Sequence, residues 1–196
     1  MNQNEEIQYS FKEEFLKILK PTPTTILILI PLFIIQMFFI KFANLNIYQS
    51  VSFIGLSFFL LLTSIQDFND KEVFEFLLAP TAIFSTFYIT EPNSIYEFSS
   101  LILNNILVGL SIVAMMFFIS NLLAILLNKE TLGDGDYPLL YSMGIVLGLG
   151  YVSYGFIVMA LSALLYMIVT RDKTVPLIPF INIAITVVLF YSMVVK

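Results

Sequence analysis

The chain reads as an all-α, polytopic membrane helical bundle of about seven transmembrane helices, and three observations predict it. Hydrophobic residues make up 59% of the 196 positions and charged residues 12%, whereas soluble domains carry about a quarter charged residues. Mean hydropathy is +0.93. The apolar residues also fall into runs close to the roughly 20 residues that cross the hydrocarbon layer as a helix, separated by short polar breaks.

The first element precedes the spans. Between Glu5 and Lys20 the apolar residues Ile7, Phe11, Phe15, Ile18 and Leu19 recur at helical spacing among glutamates and lysines, the pattern of a helix lying on a membrane surface. Pro21 and Pro23 end it. Residues 1–23 are therefore expected to form a cytoplasmic amphipathic segment and residues 24–196 a single membrane domain. No small-residue cleavage site follows a short apolar core, so the first span is expected to stay in the mature protein.

Seven spans follow: Thr24–Ala43, Tyr48–Ile65, Val73–Thr90, Ser99–Leu127, Pro138–Gly150, Tyr151–Thr170 and Pro176–Val195. The fifth is short and is parted from the sixth only by Gly148-Leu149-Gly150-Tyr151-Val152-Ser153, so the two can be read as one broken segment; two helices with a tight turn are preferred. Lysine and arginine support that choice, because positive residues collect in cytoplasmic loops. With the N-terminus inside, Lys12, Lys17, Lys20, Lys71, Lys129, Arg171 and Lys173 share the cytoplasmic side, and only Lys41 and Lys196 lie outside. Fusing spans five and six puts Arg171 on the face opposite Lys129.

The same topology puts twelve of the fourteen acidic residues inside, all but Glu91 and Glu97. An acidic mouth attracts basic peptides by long-range electrostatics; ordinary solvated loops account for the charge equally well. The remaining polar features have plain readings. Glycines such as Gly144, Gly148 and Gly155 suit close helix packing, Asn104, Asn105 and Asn121 suit hydrogen bonds between helices, and Pro31 and Pro80 suit kinks.

With no histidine and no cysteine, the chain lacks Ser-His and Cys-His nucleophile pairs and the usual His/Cys zinc sites. Aspartates are the first suspects for catalysis. Asp67 closes the second span after the uncharged run Leu60–Gln66, and Asp136 ends Gly133-Asp134-Gly135-Asp136 just before Tyr137-Pro138 and the fifth span. Glycines at 133 and 135 let another chain approach without a Cβ in the way. Two carboxylates brought together from separate spans share one proton, which supplies both a general acid and a general base. Asp67 and Asp136 are 69 residues apart, so this pairing requires the second and fifth spans to pack together. Intramembrane carboxylates are also a transport signature, although the span centres here hold almost no ionisable residue.

At these residues the chain resembles the prepilin and preflagellin peptidase family of GxGD membrane aspartic proteases. Asp67-Phe68-Asn69-Asp70-Lys71-Glu72-Val73 matches the family's first aspartate with Ile or Val six residues on, and Phe74 stands where a proline is expected. Gly133-Asp134-Gly135-Asp136 matches the GxGD motif, which assigns Asp136 rather than Asp134, and Pro138 replaces a frequent lysine. Val175-Pro176-Leu177-Ile178-Pro179-Phe180-Ile181 is similar to the sequence opening the family's last helix, without its glycine. Together the three motifs span about Asp67–Lys196.

The resemblance implies an aspartic endopeptidase with Asp67 and Asp136 catalytic, Gly133 and Gly135 leaving room for the substrate backbone, and neither cofactor nor metal. It implies removal of short basic leaders from pilin-like or archaellin-like precursors at the cytoplasmic face of the cell membrane. The bilayer is the other partner, no nucleic acid is expected, and oligomeric state is not read. Absence of paired Cys-x-x-Cys motifs points to the short, peptidase-only members, without N-methylation. Alternatives are a presenilin-like intramembrane protease, a small ion or proton transporter, and a non-catalytic assembly subunit.

Overall fold

The computed structural model describes residues 23–70, 73, 75–127, 132–171 and 175–195, and every regular element among them is a helix. In chain order these are α1 (Pro23–Phe42), α2 (Ile47–Asp70), α3 (Glu75–Thr86), α4 (Ile95–Leu127), α5 (Asp136–Thr170) and α6 (Leu177–Val194). The surface helix expected over Glu5–Lys20 lies outside the described residues. By length and composition α2, α4, α5 and α6 can cross a membrane, and α1 adds a shorter apolar helix over Ile26–Phe42. The chain is thus a multi-pass membrane protein.

Its polarity is turned inward. Leu27, Leu103, Ile125 and Ile168 are exposed, while Gln36, Ser57, Ser64, Asp67, Asn182 and Thr186 are buried. In lipid, apolar side chains need no burial, and polar groups find partners only inside the bundle. Leu56, Leu60, Leu139, Leu140, Met143, Ile181 and Ile185 fill the centre. The last helix, α6, packs on α1, α2 and α5.

The expected break between the fifth and sixth spans is present inside α5, which is why six helices rather than seven are counted among the described residues. Gly148 has φ 66° and ψ 170°, a region essentially reserved for glycine. A Cβ on Gly155 would lie 2.6 Å from Leu147 Cδ1 and 3.3 Å from Met143 Sδ. In a straight helix residues 143 and 155 sit about 18 Å apart, so the arms 136–147 and 149–170 fold back on each other. Packing explains Gly144 and Gly155, but Gly148 has no atom within 4 Å of its would-be Cβ; its backbone angles are what require glycine.

The third span also differs from expectation. Helix α3 has 12 residues, about 18 Å of rise, and ends four residues before Thr90. Asn105 of α4 meets the carbonyls left at this end, its Nδ2 donating to Thr86 O (3.0 Å) and Tyr88 O (3.1 Å), and Pro92 has no N–H with which a longer helix could reach Tyr88 O. Asn121, expected to bridge helices, instead donates to Phe117 O of its own helix at 2.8 Å. Helix α4 starts four residues earlier than expected. Ser94 Oγ accepts from Glu97 N–H at 3.2 Å, and Glu97 Oε2 accepts from Asn93 N–H at 2.8 Å; this is a capping arrangement whose Ser-x-x-Glu signature is present in the sequence.

Clefts mark the two ends of the bundle. One, of about 440 Å³, lies among Phe42, Gln49, Tyr88, Tyr151 and Ser192. The other contains the aspartates.

Candidate active site

Asp67 stands one turn from the end of α2, only 7% exposed. Its Oδ2 accepts a hydrogen bond from the backbone N–H of Ile178 at 2.9 Å, in the first turn of α6. That turn is short of caps. Pro176 occupies the N-cap position and supplies no side-chain bond, and neither Pro176 nor Pro179 has an N–H to be satisfied. A carboxylate placed there meets an orphan donor and the positive end of the helix dipole together.

Asp136 opens α5. Its Oδ2 accepts from Gly133 N–H at 2.9 Å, while its own N–H donates to Gly133 O at 3.0 Å. The two bonds close residues 133–136 into a small ring that fixes the carboxylate, and Gly135, the N-cap residue, adds no side-chain bond. Each aspartate is thereby oriented by backbone, which costs no side-chain freedom elsewhere.

A cleft of about 460 Å³ is lined by Asp67, Gly133, Gly135 and Asp136 together with Val73, Val175, Leu177 and Ile178. All four site residues expected from sequence therefore share one cleft, drawn from the end of α2 and from the start of α5. Its apolar wall was not singled out in sequence, although Val175, Leu177 and Ile178 belong to the third matching motif.

Neither glycine is demanded by the fold. Gly148 is the one glycine of positive φ among the described residues, and a Cβ would meet nothing nearer than Asp136 Oδ2 at 3.7 Å from Gly133, or Leu78 Cδ1 at 3.6 Å from Gly135. Both distances are ordinary van der Waals contacts. What the missing methyl groups leave open is the cleft itself.

Asp134 is directed elsewhere. It lines a neighbouring groove of about 450 Å³ with Glu75, Leu78, Ala79, Ala82 and Pro138, and only Val73 and Gly135 belong to both spaces. Pro138, at the position where the family often has lysine, thus forms part of that groove. The Tyr137 ring packs on Phe117 of α4 with centroids 6.0 Å apart, the packing of an aromatic side chain rather than a site contact. Among the described residues no three acidic side chains are grouped to hold a metal ion.

A helical bundle with backbone-held carboxylates facing one end defines the class: a multi-pass membrane protein with an acidic cleft. The type IV leader peptidase family matches residues 53–193, well over half of the chain. The chain belongs to that family, and the family is one of proteases. Comparison with curated proteins found no match, and comparison with solved structures found none. The matched stretch begins within α2 and leaves out α1.

Proposed function

We propose that this chain is an aspartic endopeptidase that removes short basic leader peptides from pilin-like or archaellin-like precursors. The observation that carries the reading is the single cleft lined by Asp67, Asp136, Gly133 and Gly135, in a chain of the leader peptidase family. The two carboxylates share one proton. The ionised member takes a proton from water as the water oxygen attacks the scissile carbonyl, and the protonated member gives its proton to the carbonyl oxygen. Collapse of the tetrahedral intermediate breaks the C–N bond: the proton held by the first carboxyl passes to the leaving amine, and one hydroxyl of the intermediate returns its proton to the second carboxylate, which restores the starting pair. The extended backbone of the substrate enters over Gly133 and Gly135.

Orientation follows from charge. Arg171, at the aspartate end, and Lys41, at the far end of α1, keep the asymmetry seen in the whole sequence, which supports a cytoplasmic cleft in the cell membrane. The chain has no cysteine, so the paired-cysteine loop that accompanies N-methylation is missing and cleavage alone is proposed.

The test is co-expression with a precursor carrying a lysine-rich leader ahead of an apolar helix, followed by precursor size at matched membrane levels. Asp67→Asn and Asp136→Asn each abolish processing, and Asp134→Asn retains it. Processing that survives loss of either Asp67 or Asp136 overturns the aspartic mechanism.

A further inference from the structure

We propose that Gln36, on the helix lying outside the family match, is a positioning residue for Asp67 and acts through α6. The inference rests on the catalytic reading of Asp67 given above. Gln36 is 1% exposed. Its Nε2 donates to Asn182 Oδ1 at 2.6 Å and to Thr186 Oγ1 at 2.8 Å, and the Thr186 hydroxyl donates on to Asn182 O at 2.8 Å.

These acceptors lie on the stripe of α6 that holds Asp67. Ile178, Asn182 and Thr186 are spaced i, i+4, i+8, so they share one face, about 6 and 12 Å along the axis from Ile178. Asp67 grips the first member and Gln36 the other two. Any slide or rotation of α6 that breaks the Gln36 bonds also withdraws the Ile178 N–H from Asp67.

One turn away, Phe39 sets the same helix between the two partners. Its ring lies 5.3 Å from that of Phe53 on α2 and 5.5 Å from that of Phe190 on α6. Thus α1 touches both the helix that carries Asp67 and the helix that holds it.

Space filling does not explain an amide here. Gln36 Oε1 is buried without a partner among the described residues, as is Ser57 Oγ on α2. An unmet buried acceptor is costly; an apolar side chain of equal length fills the same space without Oε1, at the expense of the donor to Asn182 Oδ1 and Thr186 Oγ1. What the amide adds is direction: two donated bonds fix the height and rotation of α6, where a methionine would let it slip.

Gln36→Met in the full chain, purified in lipid nanodiscs, tests this with the lysine-rich precursor as substrate. The expected result is a kcat lower by about tenfold or more with KM within about twofold, a thermal midpoint only modestly lowered, because Asn182 Oδ1 and Thr186 Oγ1 lose a donor while the unmet Oε1 is removed, and faster hydrogen exchange at the Ile178 amide while other helices are unchanged. Thr186→Val, which keeps shape and removes one acceptor, gives a smaller change of the same kind. Wild-type kcat with unaltered Ile178 exchange overturns the inference. So does a parallel fall in midpoint, activity and protection in every helix, which is loss of packing rather than of position. Asp67→Asn run alongside separates the two levels: an active Asp67→Asn defeats the catalytic reading, while Ile178 exchange in Gln36→Met still decides whether α1 sets the height of α6.

Discussion

Alanine at position 133 separates what the fold needs from what the cleft needs. The added methyl lies 3.7 Å from Asp136 Oδ2 and meets nothing closer, and the backbone there is not in the positive-φ region. The folded state therefore accepts alanine without strain, while the unfolded chain loses freedom. The change in stability is a gain of about 0.4–1 kcal/mol. Catalysis responds in the opposite direction. The methyl stands beside the Asp136 carboxylate, on the surface over which the substrate backbone passes, and a displacement of about 1 Å at a reacting centre costs on the order of 100-fold in rate. The assay pairs a thermal unfolding midpoint in detergent with single-turnover cleavage of the lysine-rich precursor. Unchanged or raised stability with cleavage lost is the expected pair. Wild-type cleavage refutes the claim that the missing methyl makes room for substrate, and a large loss of stability refutes the claim that the fold is indifferent to it. Gly135→Ala, whose methyl meets Leu78 Cδ1 at 3.6 Å, gives the same pair.

Other predictions follow from the packing. Asp67→Asn keeps an acceptor for the Ile178 N–H, so its thermal midpoint stays near wild type although processing is lost; a collapse of the fold contradicts the oriented-carboxylate geometry. Gly148→Ala costs about 1–3 kcal/mol from backbone strain alone, because no atom lies near the new methyl, and equilibrium unfolding in detergent measures it. Gly144→Ala drives a methyl to 2.7 Å from Ile112 Cγ1 and costs about 1–3 kcal/mol, a loss that Ile112→Ala in the same chain partly restores. Asn105→Ala leaves the Thr86 and Tyr88 carbonyls without their donor and lowers stability by about 1–3 kcal/mol, read from the same unfolding curves.

Much of this protein is written locally. Long apolar runs with almost no charge at their centres dictate helices in lipid, because a helix meets its backbone polar groups within its own segment. The absence of histidine and cysteine leaves aspartates as the candidate chemistry, and the motifs around Asp67, Gly133–Asp136 and Val175–Ile181 contain residues that line one cleft. Other features depended on what faces what. Hydropathy placed a break near Gly148, but only the backbone angles and the fold-back against Met143 show that one glycine makes it. Helix α3 ends before the third span does, and the carbonyls of Thr86 and Tyr88 at that end are met by Asn105, a residue of the next helix. Asp134 and Asp136 are indistinguishable as composition, and the ring closed on Gly133 turns one toward the cleft as the other lines the adjoining groove. Gln36 is a lone polar residue in an apolar run until α6 brings Asn182 and Thr186 to it. Helix formation is decided within about four residues by hydrogen bonding and solvent, so sequence reveals it; the rotation and height of one helix against another depend on side chains more than a hundred residues apart, which only the packed bundle brings together.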